Sequence, residues 1–451
     1  MIIKANAKLF LNISRVLTIV VLAIYITSFR IQPTYIWYVS LGILVIALFM
    51  PHRRIFELAI KMLWLVRIEP ATTDLLLALG LAKASLSTGR LPRVRVGSPL
   101  WMLSVYAVLA VIQISWSHNI ARACYYTVIT IYTMNIIPII FAHIGSYYRG
   151  ESWKKALILA IDLTTIAVLV AGIASIIGIA DYFPWLYHTQ NRGRAFFKDV
   201  NVAGPFIVFG ALQMLARMII SKRYSLPTVL RLLAYSIAVV FTFSRGAFLN
   251  YVIGIISIGA IATIRKRGWR ITILLIIIGC VSVYYIPRII NTFGQKRVTT
   301  INTYDTEGRF AAWNSGLMMF LQSPWGIGPG QFEVMSPRYQ TKYIGNIDIT
   351  PSSHSLYIRL LAENGILGLA LYIIAIAAVI LGLIRVIRTT HTNSCCFINA
   401  TWLLAALLGI LAEGTVIDIL HWRHYGIAIG LALFYIRKCN KPKNKSRVMV
   451  K

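Results

Sequence analysis

Long apolar runs recur from one end of this sequence to the other, and they limit its fold more than any other feature. Each run is roughly 17 to 25 residues long, enough for a helix to cross a hydrocarbon core about 30 Å thick. Because lipid offers no partner for unpaired backbone groups, the runs are expected to be helical. With 58% hydrophobic and only 13% charged residues, the sequence predicts an all-α polytopic membrane protein.

The apolar runs predict about twelve transmembrane helices. We place them near 10–29, 34–50, 99–117, 124–144, 156–178, 200–220, 228–243, 247–264, 271–287, 365–388, 396–416 and 422–436. The stretch from Ile55 to Ala84 is interrupted by charged residues and must start and end on one side, so we expect interfacial or re-entrant helices there. The N-terminus leads into the first run without an A-x-A-like cleavage site, which indicates a retained first helix rather than a removed signal peptide.

Basic residues cluster between the apolar runs. The chain has 45 Lys and Arg against 14 Asp and Glu, a net charge of +31, which by itself could suggest a nucleic-acid partner. Their placement at His52–Arg54, Ser221–Arg223, Arg265–Arg270 and from Arg437 onward instead follows the positive-inside rule. We therefore expect a bacterial inner-membrane protein with both termini in the cytoplasm and no nucleic-acid partner.

The predicted topology divides the chain into four parts. Residues 1–287 are expected to hold transmembrane helices 1–9 with an interfacial segment near 55–84, 288–354 a periplasmic catalytic loop, 355–436 transmembrane helices 10–12, and 437–451 a basic cytoplasmic tail. Three of the five cysteines lie in or beside predicted cytoplasmic segments, where thiols stay reduced. We therefore expect neither a structural disulfide nor a zinc site.

The long external loop is the outlier among the connections. About 65 residues between two spans far exceeds an ordinary helix connection and is typical of functional or disordered loops. Its apolar spacing predicts a helix that begins at Thr306 and ends before Ser323. Gly326, Gly328 and Gly330 then form a turn where the backbone either approaches a ligand closely or simply reverses direction.

His354 stands just ahead of an amphipathic run, at the expected outer face of the membrane. A histidine imidazole is neutral near pH 7 and accepts a proton from a hydroxyl, which is the task of a general base in glycosyl transfer. The alternative is a histidine that caps its helix or hydrogen-bonds a loop carbonyl.

Four arginines lie at external membrane edges, against the positive-inside rule: Arg192, Arg194, Arg245 and Arg309. The planar fork of donors on an arginine suits phosphate oxygens, so a diphosphate at the membrane surface is a natural partner. The alternatives are snorkelling to lipid headgroups or pairing with nearby carboxylates, namely Asp181, Asp199, Asp305 and Glu307.

Three carboxylates lie within or beside apolar runs, namely Glu363, Glu413 and Asp418. Such residues are functional candidates by default, although an internal ion pair of the last two with His421 and Arg423 is the simpler account. The sequence shows no paired carboxylates at glycosidase spacing, no Walker A loop and no D-x-D-like metal motif. It therefore predicts neither a metal nor a cofactor.

Four stretches carry a resemblance to the O-antigen ligase and polymerase superfamily. They are GRAFFKDVNVAG, FSRGAFL, GRFAAWNSGLMMFLQSPWGIGPGQF and HSLYIRLLAENGILG, within residues 191–384, and the last matches H-[NSQ]-x9-G-x-x-G. One position departs from the family, which often has a proline where Val200 precedes Asn201.

The resemblance implies a multi-spanning C-type glycosyltransferase that takes its glycan from undecaprenyl diphosphate at the periplasmic face. It nominates Arg194, Arg245 and Arg309 for the diphosphate, with Arg192 beside them, and His354 together with Arg309 for catalysis. A single displacement without a carboxylate nucleophile predicts inversion at the anomeric carbon, with no metal and no cofactor.

The acceptor distinguishes three forms of this function. A ligase transfers to lipid A core, a polymerase to a growing glycan, and a protein O-oligosaccharyltransferase to protein. We favour the ligase because the His354 motif is complete, although polymerases carry it too. A secondary transporter is the alternative from another class, but it would place unusual charges near mid-membrane in two matched halves, and no internal repeat is evident.

Overall fold

The computed structural model describes residues 33–88, 98–144, 152–179, 186–188, 192–222, 224–265, 303–340 and 352–440. The spans predicted at 10–29 and 271–287 lie outside these residues, as do most of the basic tail and the loop residues 288–302 and 341–351. Each of the other ten positions predicted to span the membrane is helical.

Helices make up nearly all of the described chain. Those before the long loop are α1 (Pro33–Leu48), α2 (His52–Lys61), α3 (Thr72–Thr88), α4 (Ser98–Gln113), α5 (Ile120–Ile131), α6 (Ile137–Ala142), α7 (Ser152–Ile176), α8 (Val200–Ser221), α9 (Leu226–Phe241) and α10 (Arg245–Ile264). Those from the long loop onward are α11 (Thr303–Gln322), α12 (Phe332–Gln340), α13 (Leu356–Thr389), α14 (Cys395–Glu413) and α15 (Arg423–Cys439).

Short elements complete this list. Single helical turns follow α2 (Met62–Trp64) and α4 (Ile114–Trp116), and a π-helical turn (Tyr132–Ile136) joins α5 to α6. The described chain departs from an all-α fold at one antiparallel strand pair, β1 (Tyr187–His188) and β2 (Arg192–Gly193), in which Tyr187 faces Gly193.

Seven of the described helical segments are long and apolar enough to cross a membrane. They are Pro99–Trp116, Ile120–Ala142, Ser152–Ile176, Val200–Ser221, Arg245–Ile264, Leu356–Thr389 and Cys395–Glu413. The prediction of an all-α polytopic membrane protein is therefore confirmed. The helix predicted in the long loop is also present, since α11 ends at Gln322 ahead of Ser323 and Pro324 and begins three residues before Thr306.

Helix α8 forms the centre of the bundle, because nearly all of its side chains are buried. Trp402 on α14 donates its indole hydrogen to the Phe209 carbonyl oxygen of α8 at 2.9 Å. Glycine lets the neighbouring helix approach, since a Cβ at Gly254 of α10 would lie 2.4 Å from Leu212 Cδ1. Small residues thus bring the helices that carry the candidate site into close contact.

The loops meet at two opposite ends of the bundle. At one end, which we call the site end, residues 65–71 contact 196–198, residues 113–122 contact 325–333, and 414–416 contact Leu356 and Arg309. At the other end, which we call the basic end, Lys83 donates to the carbonyl oxygens of 48 and 50, and Arg265 to that of Ile387. The connections between predicted spans around 117–122 and 192–199, and the part of the long loop at 325–333, therefore lie at one end of the molecule.

The expectation that the chain has no structural disulfide is wrong for one pair. Cys396 at the start of α14 is bonded to Cys439 at the end of α15, with their Cα atoms 6.0 Å apart. Because consecutive helices run antiparallel, the start of one lies beside the end of the next, which brings the two thiols within bonding reach. Cys124 and Cys395 form no disulfide with another described residue, and Cys280 lies outside the described residues.

Candidate functional site

The turn between α9 and α10 positions Arg245 at the site end. Ser244 caps α10, and its hydroxyl donates to Asn201 Oδ1 at 2.9 Å. The same amide oxygen accepts from Arg192 Nη2 at 3.3 Å, and Arg192 also donates to the carbonyl oxygens of Thr242 at 3.2 Å and Phe243 at 3.1 Å. Arg192 therefore binds the end of α9 and fixes the turn that precedes Arg245, the first residue of α10.

The end of α14 packs directly against the start of α10. Glu413 is fully buried, and its Oε2 accepts from Asn250 Nδ2 at 2.9 Å. A Cβ at Gly246 would lie 2.8 Å from Glu413 Oε1. A Cβ there would displace the carboxyl group, so the glycine that follows Arg245 lets the two helix ends pack closely.

His354 lies beside this helix end, in a strained conformation. Its φ of 46° is in the left-handed region, which is unfavourable for residues other than glycine. The buried Ser353 donates its hydroxyl to the Ser355 carbonyl oxygen at 3.0 Å across the histidine, and Leu356 N donates to Gly414 O at 2.8 Å. The half-buried imidazole is therefore carried on a backbone that is fixed on both sides.

Arg309 reaches the same loop from α11, because its Nη1 donates to the Val416 carbonyl oxygen at 3.1 Å. Arg245, His354 and Arg309 thus all lie next to residues 413–416, at the end of α14 and the start of the following loop. The sequence separates them by up to 109 residues, and the structure brings them together around one helix end.

Arg194 occupies a neighbouring part of the site end, where Arg194 N donates to Leu186 O at 2.9 Å. Burial lowers the pKa of its guanidinium, and the charge of Asp199 opposes that change. Arg67, which the sequence analysis did not nominate, lies near enough that burial and the charge of Arg194 lower its pKa to about 10. Both guanidiniums remain charged at neutral pH.

A buried ionic cluster that the sequence analysis missed lies under these residues. Arg359 on α13 is 3% exposed and pairs with Glu333, with Glu363 at 3.3 Å and with Asp418 at 2.8 Å. Arg122 on α5 also pairs with Glu333, at 3.1 Å. The cluster therefore joins α5, α12, α13 and the loop after α14.

The predicted pairing of Glu413 and Asp418 with His421 and Arg423 is wrong. Asp418 pairs with Arg359 as described, and Glu413 bonds to an amide of α10. Arg423 Nε instead pairs with Asp74 Oδ1 at 2.7 Å. His421 Nε2 lies 2.9 Å from the Thr130 hydroxyl, and burial lowers the pKa of the imidazole against the opposing charge of Asp418. Helix packing selects partners that are distant in sequence.

The glycine-rich turn packs against α13. Gly326, Gly328 and Gly330 all have positive φ, and Gly330 N donates to the Glu363 carboxylate at 2.8 Å. A Cβ at Gly326 would lie 2.3 Å from Glu363 O. Gly365, which breaks α13 with φ 68° and ψ −172°, likewise faces the turn, since its Cβ would lie 2.3 Å from Pro324 O. The glycines therefore let the turn approach the backbone of α13 closely.

The described residues contain no group of three or more His, Cys, Asp or Glu side chains that could hold a metal ion. The site end instead combines guanidiniums and histidines with carboxylates that mostly pair inside the protein. The fold and these residues together define the class of polytopic α-helical membrane proteins with a polar site at the ends of their helices.

The comparison with protein families supports a particular member of that class. Residues 230–373 match the family model described as O-antigen ligase. The resemblance to the O-antigen ligase and polymerase superfamily is therefore confirmed over this part of the chain. The comparison with curated proteins found no match. The matched region includes Arg245, Arg309 and His354, and it excludes Arg67, Arg192 and Arg194.

Proposed function

We propose that this protein transfers a glycan from undecaprenyl diphosphate to an acceptor hydroxyl at the periplasmic face of the bacterial inner membrane, and that it is an O-antigen ligase acting on lipid A core. The observation that carries the proposal is the convergence of Arg245, Arg309 and His354 on residues 413–416. All three lie in the family-matched region. The two arginines suit the binding of a diphosphate leaving group, and the histidine suits the role of proton acceptor.

In the proposed reaction, the acceptor oxygen attacks the anomeric carbon of the donor sugar. His354 takes the hydroxyl proton as the new carbon–oxygen bond forms. The bond from the anomeric carbon to the diphosphate breaks, and undecaprenyl diphosphate leaves with the bonding electrons. Arg194, Arg245 and Arg309 stabilise the charge on that leaving group, with Arg192 holding the turn before Arg245. One displacement inverts the anomeric centre and requires no metal or cofactor.

We place the site end in the periplasm and the basic end in the cytoplasm, with about twelve spans and both termini inside. Support comes from the basic loops, which follow the positive-inside rule, and from the meeting of the predicted external loops at one end. Residues 288–354 then form the periplasmic catalytic loop, 355–436 the last three spans and 437–451 the cytoplasmic tail. Helices α2 and α3 form a hairpin that includes 55–84, and its turn contacts 196–198, which fits a re-entrant segment.

Reconstituted transfer decides between the acceptors. Purified protein is incubated with undecaprenyl-diphosphate-linked glycan, with lipid A core in one reaction and without it in another. Product that requires the core supports the ligase, whereas longer lipid-linked chains without the core would show a polymerase. Transfer in neither reaction would contradict both, and would leave protein O-oligosaccharyltransfer and secondary transport to be assayed with protein acceptors and with vesicle flux.

His354→Ala tests the proposed base. We expect loss of transfer at normal expression, because no other group is assigned to accept the hydroxyl proton. The matched control is His391→Ala, which removes an exposed histidine that follows α13 at the basic end and should leave transfer unchanged. Full transfer by His354→Ala would refute the assignment of this residue.

A further inference from the structure

We propose that Arg67 joins Arg194 in binding the diphosphate of the lipid-linked donor, as a binding residue contributed by the α2–α3 hairpin. This inference rests on the proposed function and extends it to a part of the chain that the family match does not cover. The two residues are 127 positions apart in the sequence.

Backbone contacts hold the two arginine-bearing segments side by side. Val66 N donates to Phe196 O at 3.1 Å, and Val66 pairs with Phe197 in a parallel β-bridge. Arg67 therefore follows directly from the bridged residue, while Arg194 lies two residues before the acceptor. Hydrogen bonds between main-chain atoms fix the two segments side by side. The guanidiniums lie near enough that the charge of Arg194 contributes to the lowered pKa of Arg67.

The charges in this region favour an anion. Residues 65–71 and 192–199 together hold four basic side chains and two acidic ones, a surplus of two positive charges. Glu69 is engaged by Lys198 at 3.5 Å and by the Tyr125 hydroxyl at 3.1 Å. Among the described residues, the buried Nε of Arg194 has no hydrogen-bond partner. Two neighbouring cations with an unused donor are stabilised by an anion that can accept from both.

The surroundings favour an anion attached to a lipid. Trp64, just before the bridge, packs edge-on against Phe196 with ring centroids 5.1 Å apart. With Ile36 of α1 and Ile68 they belong to a small apolar cluster, and α1 presents exposed apolar side chains, among them Leu41 at 59%. A ligand with a diphosphate head and a hydrocarbon chain can therefore satisfy the arginines and the apolar surface together.

Binding to the purified full-length protein tests the inference. The probe is undecaprenyl diphosphate without a glycan, and the competing ligands are inorganic diphosphate and phosphatidylglycerol. We expect Arg67→Ala and Arg194→Ala each to weaken binding of the probe by about tenfold, as the loss of one charge-assisted contact predicts. Arg67→Lys keeps the charge but lacks the planar fork, and it should weaken binding less. Arg54→Ala, which removes an exposed charge at the other end of the hairpin, should bind as the wild type does.

Several results would overturn the inference. Wild-type affinity in Arg67→Ala, or equal competition by inorganic diphosphate or phosphatidylglycerol, would each show that Arg67 does not recognise a lipid-linked diphosphate. If Arg67→Ala fails to elute as a folded protein, Arg67→Lys decides, since wild-type affinity there contradicts a role for the fork. Transfer by the wild type together with unchanged binding by both Arg67 variants would leave the proposed function standing and the inference wrong. Absence of transfer would contradict the function, while the affinities would still decide the role of Arg67.

Discussion

Substitution of Arg359 by methionine tests the buried ionic cluster that underlies the candidate site. Methionine has a similar length and no charge, so the change removes the contacts to Glu333, Glu363 and Asp418 without leaving a large void. Each carboxylate keeps one other partner: Arg122 for Glu333, backbone amides of the glycine-rich turn for Glu363, and Leu420 N for Asp418. The stranded charges are therefore only partly compensated.

The expected loss of stability follows from the burial of this arginine, which is 3% exposed. Removing one partner of a buried ion pair typically costs about 3–5 kcal/mol, because the remaining charge stays desolvated. We expect a loss in that range at pH 8.

The free energy of unfolding, measured in mixed micelles by titration with a denaturing detergent, provides the assay. Asp418→Asn added to Arg359→Met should recover part of the loss, because it neutralises one stranded charge. Arg385→Met is the matched control, since it removes an exposed arginine from the same helix near the basic end. A variant Arg359→Met within about 1 kcal/mol of the wild type at pH 8 would refute the reasoning.

Two further substitutions test other parts of the fold. Gly326→Ala should destabilise the protein by about 2 kcal/mol or more, because φ is 91° and the new Cβ would meet Glu363 O at 2.3 Å. The control is Gly42→Ala, which has no atom within 4 Å of the added Cβ and should not lower the thermal unfolding temperature. Equal losses of stability in the two variants would contradict this account. Replacing Cys396 and Cys439 by serine should leave glycan transfer unchanged, since the pair lies at the basic end, and lost transfer by folded protein would show a coupling between the two ends.

Local patterns predicted much of the architecture. Apolar runs marked the described helices, and Ser323 with Pro324 marked the end of α11, because both signals depend on residues next to each other in the chain. His354 and Arg245 could be nominated for the same reason, since each stands at the start of a helix within a short motif. The backbone strain at His354 was not readable, because it depends on contacts with the buried serines and with Gly414.

The partners of the charged residues could not be predicted, because helix packing decides them. Arg359 meets a carboxylate on its own helix and two that come from 26 positions before it and 59 after it. Arg423 pairs across 349 positions with Asp74 rather than with a neighbour. The spacing of charged residues along the sequence does not reveal such contacts. For the same reason, the sequence did not indicate that Arg67 lies near Arg194.

The glycine-rich turn at 326–330 can support the proposed reaction through its bonds to α13, without contact to a substrate. Glu363 accepts from Gly330 N and Phe332 N, and it also pairs with Arg359. One turn of α13 is therefore bonded to the long loop, while the start of the same helix holds the strained backbone of His354. Movement of the loop relative to α13 would break these bonds and shift the histidine with respect to Arg309. The glycines and Glu363 therefore keep His354, the proposed base, at a fixed position relative to Arg309, which is proposed to bind the diphosphate. Their substitution should lower the rate of transfer more than it lowers affinity for the donor.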